Sequence, residues 1–488
     1  MLTILILLPL TAAIFLLIAP MRSARLARVV AGGVMGIETL LALAVAHGAL
    51  AAEGGLAFEA RTPWLADLGI AWHLGAGRLG ALLVVLTALV GFAGVLVARP
   101  AEHARFHHAL GLIIAGGMAG AFLAQDLFFL YVFHEFALIP TFILIWVWGG
   151  DRRREAATKI TLYLLAGSLV LLVGLLALVL ASGAQTFDLP ALRAHLAEHP
   201  LPAELQSLIF FLLLVGFGTL VSAVPLHTWA PIGYAEAPPL AAILHAGAVK
   251  KFGLYGLALI AFPLLPAGAA DWRGLLAWLA AAQLLYAGYL ALRQDDLRRM
   301  LAWASVSHMG FGFLALAAGT AAAMEGFTLF LFAHGLAAAA GFALAGFCRQ
   351  TLGTSSLSAM GGLARRMPFA ATAFTMVALA GFGVPGFANF PAELMIFAGS
   401  LGAWPWPTVL VLWGVVISAV YFLRAVRQGF LGPLAPAMMQ ATDLDWMRRL
   451  AIALLLGVSL AAGFFPRAVL GSARDAAPNA CCEHPPAR

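Results

Sequence analysis

Charge is what this sequence has least of. Of 488 residues, 10% are charged and 63% are hydrophobic, where a soluble domain carries about 25% charged residues. So few charges cannot solvate a chain of this length as a globule in water. Lysine is scarcer still: there are three, Lys159, Lys250 and Lys251. Cysteine is equally rare, with Cys348, Cys481 and Cys482, which excludes a disulfide framework and iron–sulfur ligation. The tail Cys481-Cys482-Glu483-His484 is read as a disordered terminus, against the competing reading of a loosely held metal ion. Walker loops, dinucleotide fingerprints, nucleophile elbows and H-E-x-x-H pairs are all missing. The chain alone is therefore expected to hold no cofactor or metal and to hydrolyse no nucleotide. The net charge of +6 does not imply a nucleic-acid partner. Its basic residues form short groups between apolar runs, with no basic, aromatic-rich domain.

What the chain has instead is long apolar runs near the ~20 residues a helix needs to cross hydrocarbon. Fourteen candidate spans lie near 2–20, 29–50, 79–98, 107–125, 127–148, 159–182, 205–225, 240–264, 272–292, 301–319, 325–347, 368–386, 405–426 and 447–466. The first lacks a basic n-region and a clear cleavage site, so it reads as a retained span and not a signal peptide. Loops after odd-numbered spans hold eighteen arginines; those after even-numbered spans hold four, Arg61, Arg78, Arg193 and Arg273. By the positive-inside rule both termini are expected outside, in the periplasm of a bacterial inner membrane.

Two spans are interrupted by Pro and Gly. One break is Ser222-Ala223-Val224-Pro225-Leu226-His227, the other Gly381-Phe382-Gly383-Val384-Pro385-Gly386-Phe387. The second helix is expected to resume through Glu393–Leu401. Freed backbone groups cannot face lipid, so each break should line a protein-enclosed cavity. The breaks are five spans apart, an odd number, so equivalent helices would run in opposite directions. The expected fold is an all-α polytopic membrane protein with inverted five-helix repeats. Its expected divisions are 1–106 (spans one to three), 107–264 (first repeat), 265–426 (second repeat) and 427–488 (last span and tail). Ordinary kinks in one irregular bundle are the competing reading.

Ionisable residues inside these spans are the candidate site. A mid-membrane charge costs roughly 2.5–3.5 kcal/mol on insertion scales, and folding does not require one. Glu135 lies within Phe133-His134-Glu135-Phe136, and Glu393 follows the second break. Both are read as functional, against a structural hydrogen bond or ion pair. Glu38 is balanced between those readings, and Glu236 is taken as a solvated or helix-end residue. Lysine suits proton handling because it can lose its charge on burial, whereas arginine cannot. All three lysines lie within or at the edge of apolar spans. His308 and His334 are candidate relay groups; His134 and His245 are more simply satisfied core histidines. His227 stands at the first break and is expected to line water.

Four segments, taken in order, resemble the proton-pumping membrane subunit M of respiratory complex I, a family related to the D-type subunits of Mrp cation/proton antiporters. The first is Phe133-His134-Glu135 through Pro140. The second is Pro225-Leu226-His227-Thr228-Trp229-Ala230-Pro231 with Glu236-Ala237-Pro238 and Ala246 to Lys251. The third is Asp296-Leu297-Arg298-Arg299-Met300 with Ser305 to Phe311, and the fourth is Ala333-His334-Gly335 with Pro385 to Phe390 and Glu393. The resemblance covers spans four to thirteen. It implies that Glu135 is the fifth-span acid, Lys251 the central lysine and Glu393 the terminal acid, with His308 and His334 between. It also implies a seventh-span lysine partner for Glu135, but that position is Leu220 here. The family's Pro-Asp-Ala-His stretch is altered to Pro231-Ile232-Gly233-Tyr234. Lys250 or His134 is the expected substitute partner of Glu135.

The implied function is proton translocation coupled to NADH oxidation and quinone reduction elsewhere in the complex. The implied partners are L-, N- and K-type membrane subunits, lipid and protons. The other readings are a subunit of an Mrp-type antiporter, of a related hydrogenase or of a bicarbonate-uptake complex, and a non-pumping scaffold.

Overall fold

In hydrocarbon every backbone polar group must be satisfied within the protein, which leaves helices as the default for apolar segments. The computed structural model describes residues 1–20, 23–52, 55–100 and 102–471. The tail carrying Cys481, Cys482 and His484, like Arg22, lies outside the described residues. The first helices are α1 (Leu2–Ile18), α2 (Ala24–Ala51), α3 (Arg78–Val97), α4 (Ala104–Leu123), α5 (Leu127–Trp148) and α6 (Arg153–Ser182). A short α7 (Leu189–Glu198) precedes the broken pair α8 (Ala203–Leu220) and α9 (Trp229–Glu236). Next, α10 (Pro239–Leu244), α11 (Lys251–Gly256) and α12 (Phe262–Leu264) form one long helix, joined by π-helical turns at His245–Val249 and Leu257–Ala261. Then come α13 (Pro266–Leu292), α14 (Leu297–Ala318), α15 (Ala321–Leu352) and a short α16 (Leu357–Met360). A second broken pair, α17 (Pro368–Gly381) and α18 (Asn389–Ser400), precedes α19 (Pro405–Ala425), α20 (Trp446–Phe464) and α21 (Pro466–Leu470).

Among the described residues twelve helices are long and apolar enough to cross a membrane, and α1 and α17 are shorter apolar helices. Position in the bundle follows burial. In α14, 94% of the apolar stretch is covered by protein, against 28% in α2, so α14 is central and α2 peripheral.

The all-α expectation omits one element. Residues Ala57–Leu65 (β1) and Ile70–Ala76 (β2) pair as an antiparallel hairpin. Nearly all of β1 is exposed, so it lacks the alternating apolar pattern that identifies a strand. Polar side chains hold the hairpin down instead. Asp188 accepts from Arg61 at 3.0 Å and meets His73 Nδ1 at 2.6 Å, while His73 Nε2 meets Glu59 at 2.9 Å.

The two halves repeat one motif. Asp126 caps α5 and Asp296 caps α14. Beside each cap the chain makes a short antiparallel bridge to the segment that follows the next helix. Leu127 N–H donates to Phe187 O and Leu189 N–H to Gln125 O; Leu297 N–H donates to Ser355 O and Leu357 N–H to Asp295 O. Both intervening helices, α6 and α15, end on a left-handed glycine, Gly183 and Gly353. Each half then continues into a helix broken at the expected proline, between α8 and α9 and between α17 and α18.

Contacts between loops separate two faces. Loops after odd-numbered spans meet one another: Arg349 pairs with Asp151 at 2.8 Å and Arg99 with Asp445 at 3.3 Å. Glu236 accepts from Arg152 N–H at 3.2 Å, so it is a helix-end contact. Loops after even-numbered spans meet on the other face, through Arg61–Asp188 and through Ala267 N–H donating to Gln206 at 3.0 Å. The arginine-rich loops thus share one side.

At the first break Gln283 braces the open backbone. Its Oε1 accepts from Val224 N–H at 3.1 Å and its Nε2 donates to Val306 O at 2.7 Å. A Gln283→Leu substitution strands the Val224 N–H, at a cost of about 1–3 kcal/mol. The expected result is a lower melting temperature for the purified protein; an unchanged one would show that Gln283 braces nothing.

Candidate functional site

The π turn at His245–Val249 sits at the middle of the molecule. A widened turn of this kind recurs at functional sites. It is met by α15 at two glycines: a Cβ on Gly335 would lie 2.6 Å from Gly247 O. This close backbone approach lets His334, the neighbour of Gly335, reach Lys251. Lys251 Nζ lies 2.9 Å from His334 Nδ1 and donates to Ala246 O at 2.6 Å. Both side chains are buried, and neither lysine partner is a carboxylate.

From His334 the polar line continues through α14 to α18. The rings of His334 and His308 stand 5.8 Å apart at 77°. His308 Nε2 lies 3.2 Å from the Tyr421 hydroxyl, which α19 delivers. Tyr421 is within electrostatic reach of Glu393 on α18. Glu393 is 4% exposed, and its Oε1 has no hydrogen-bond partner. Its Oε2 packs on the second break, where a Cβ on Gly383 would come within 2.5 Å. The structure therefore brings Lys251, His334, His308 and Glu393 into one buried row and adds Tyr421.

Lys250 points elsewhere. Its Nζ donates to Ser305 O at 3.0 Å and contacts Ser305 Oγ at 3.2 Å. As a direct partner of Glu135 it is corrected: its amine sits on α14, not on α5. Glu135 instead meets His134, Nδ1 to Oε1 at 3.6 Å, and accepts from the Ser168 hydroxyl. Leu220, where the family lysine falls, is the buried last residue of α8. His227 is packed between Tyr286 and Trp303, within electrostatic reach of Lys250 and Lys159. Lys159 lies over the Tyr163 ring at 5.9 Å, near the membrane surface end of α6. Glu38 is fully buried with both oxygens unpartnered, distant from either row.

Sequence reasoning missed Tyr421, Ser305 and Ser168. A hydroxyl inside an apolar helix gives no periodic signal, and each was identified only by what it touches. Among the described residues no group of three or more His, Cys, Asp or Glu side chains is placed to hold a metal ion.

The groups gathered here are ones that take up and release protons. The site offers amines, imidazoles, hydroxyls and a carboxylate in a water-poor interior, and no nucleophile–base pair or phosphate cradle.

Comparison with known proteins agrees with this architecture. Residues 124–419 match the membrane-spanning family described as NADH:quinone oxidoreductase/Mrp antiporter. The chain is 34% identical to NADH-quinone oxidoreductase subunit M of Escherichia coli K12, covering 86% of this chain and 84% of that one. It is 35% identical to subunit M of Pseudomonas aeruginosa, covering 83% and 81%. A chain of respiratory complex I from Thermus thermophilus superposes with a TM-score of 0.88 at 32% identity, covering 96% and 97%. A chain of the Mrp complex from Dietzia sp. DQ12-45-1b shares the fold, with a TM-score of 0.87 at 21% identity, covering 97% and 96%. With its paired repeats, its broken helices and its buried lysine–histidine row, this chain belongs to the NADH:quinone oxidoreductase/Mrp antiporter family, alongside the subunit M chains.

Proposed function

We propose that this chain is a proton-translocating membrane-arm subunit of a bacterial NADH-quinone oxidoreductase. The observation that carries the reading is the buried row Lys251–His334–His308–Tyr421–Glu393. NADH oxidation and quinone reduction take place in other subunits, and this chain carries no cofactor of its own. Lys251 is the central proton carrier, His334 and His308 pass the proton along, and Glu393 releases it at the second break. His227 lines the water-accessible first break. The first repeat, 107–264, holds the input and the second, 265–426, the output. L-, N- and K-type subunits are the partners. The arginine-rich face is cytoplasmic and both termini are periplasmic.

The test is the company the chain keeps. Purification in mild detergent should recover quinone-reductase subunits, and the preparation should acidify vesicles when NADH and a quinone are supplied. Recovery with a small set of cation/proton antiporter subunits, and no quinone reductase, would replace this reading with an Mrp-type antiporter. Recovery with hydrogenase or bicarbonate-uptake subunits would likewise overturn it.

A further inference from the structure

Glu135 is partly exposed at its end, 28%, while His134 beside it is 1% exposed. Adjacent helical residues point about 100° apart, so the pair leads from the chain's surface inward in one step. Among the described residues, His134 is the one cationic side chain within ion-pair distance of Glu135. The His134 ring stacks on Phe252, centroids 4.3 Å apart at 14°. Phe252 directly follows Lys251, so His134 lies against the helix that carries both central lysines.

Beyond it stands His245, at the start of the π turn and within electrostatic reach of both His134 and Lys250. The ring of Tyr234 is 6.0 Å from that of His245, and Lys250 Nζ is 5.5 Å from the Tyr234 ring centre. His134 Nδ1, both nitrogens of His245 and the Tyr234 hydroxyl are buried without hydrogen-bond partners. Stranding a buried polar atom costs about 1–3 kcal/mol, so such atoms are normally paired, by water if not by protein. The three on His245 and Tyr234, beside Lys250, supply the two to four partners that an ordered water needs.

Resting on the reading of this chain as a proton translocator, we propose that the input limb runs from Glu135 through His134 and His245 to Lys250. His134 is the ionic partner that Glu135 makes and breaks, and Lys250 is a proton carrier separate from Lys251. Protonated Glu135 gives its proton to neutral His134, leaving a carboxylate–imidazolium pair. The imidazolium passes one proton through water to neutral His245, and His245 passes one to a neutral Lys250 amine. Only O–H and N–H bonds form and break, and each transfer moves one proton. The amines of Lys250 and Lys251 point to different helices, α14 and α15. Adjacent residues thus serve the two limbs.

The experiment uses the intact complex in sealed vesicles and compares proton uptake with quinone reduction. His134→Phe, His245→Phe and Lys250→Met are each expected to lower coupled proton movement about tenfold or more, the low end of what a positioned acid–base group contributes. Phe at 134 keeps the stack on Phe252; where it fails to assemble, His134→Gln takes its place with the same expected loss. His134→Lys is expected to restore movement, because it returns a protonatable nitrogen beside Glu135. A His134→Lys variant no better than His134→Phe would overturn the ionic role. Full coupling in His134→Phe and Lys250→Met, together with loss in Lys251→Ala, would overturn the limb and leave the proposed function standing. Full coupling in Lys251→Ala would overturn the proposed function itself.

Discussion

Lys251→Ala is expected to stop coupled proton movement through this chain while the helices still insert and assemble. Among the described residues the amine bonds only Ala246 O and His334 Nδ1. Ala246 O belongs to helical backbone and His334 keeps its ring contacts with Phe330 and His308. Removing a buried amine also removes its desolvation cost, which offsets part of the packing lost with the side chain. The row, however, loses the group that joins the centre to His334. A positioned acid–base group contributes about 10²–10⁴-fold, so residual movement should fall near background. Vesicles that acidify normally in this variant, with quinone reduction also normal, would remove Lys251 from the path.

Gly383→Ala is expected to disable the far end of the row as severely as Glu393→Gln. Gly383 has φ +69, and its added Cβ would lie 2.5 Å from Glu393 Oε2. The left-handed conformation costs a non-glycine residue roughly 1–2 kcal/mol, and the clash moves the carboxylate besides. Gly386→Ala separates the two effects. Its φ is +108, but its nearest foreign atom is Phe464 Cζ at 3.6 Å. Strain without displacement should lower the melting temperature and spare coupling. Equal loss of coupling in both variants would show that strain alone closes the second break, with no special tie to Glu393.

Where apolar length, proline and arginine carried the signal, the fold was legible in advance. Pro225 and Pro385 marked both broken helices, and loops grouped by arginine count do meet on one face through Arg349–Asp151 and Arg99–Asp445. The hairpin was not legible, because Arg61, His73 and Asp188 hold it by side-chain bonds across 127 residues of separation. In the candidate site, ionisable residues in apolar context pointed to Lys251, His334, His308 and Glu393. What composition could not supply was direction. Lys250 and Lys251 differ by one position, yet one amine reaches Ser305 and the other His334. Similarly, Leu220 read as a gap and Pro231-Ile232-Gly233-Tyr234 as a departure. The structure places Tyr234 from that altered stretch beside His245 and Lys250.

The capped bridges at Asp126 and Asp296 give the two halves a common ruler. Nine residues past Asp126 stands Glu135, and nine past Asp296 stands Ser305, the residue Lys250 holds. A carboxylate can store a charge at neutral pH; a serine hydroxyl only relays one. The two halves therefore carry unlike groups at the same step. A perfectly symmetric duplicate would conduct equally well either way. On the proposed function, Ser305 would give the pair a polarity, as unlike materials do at the junction of a rectifier.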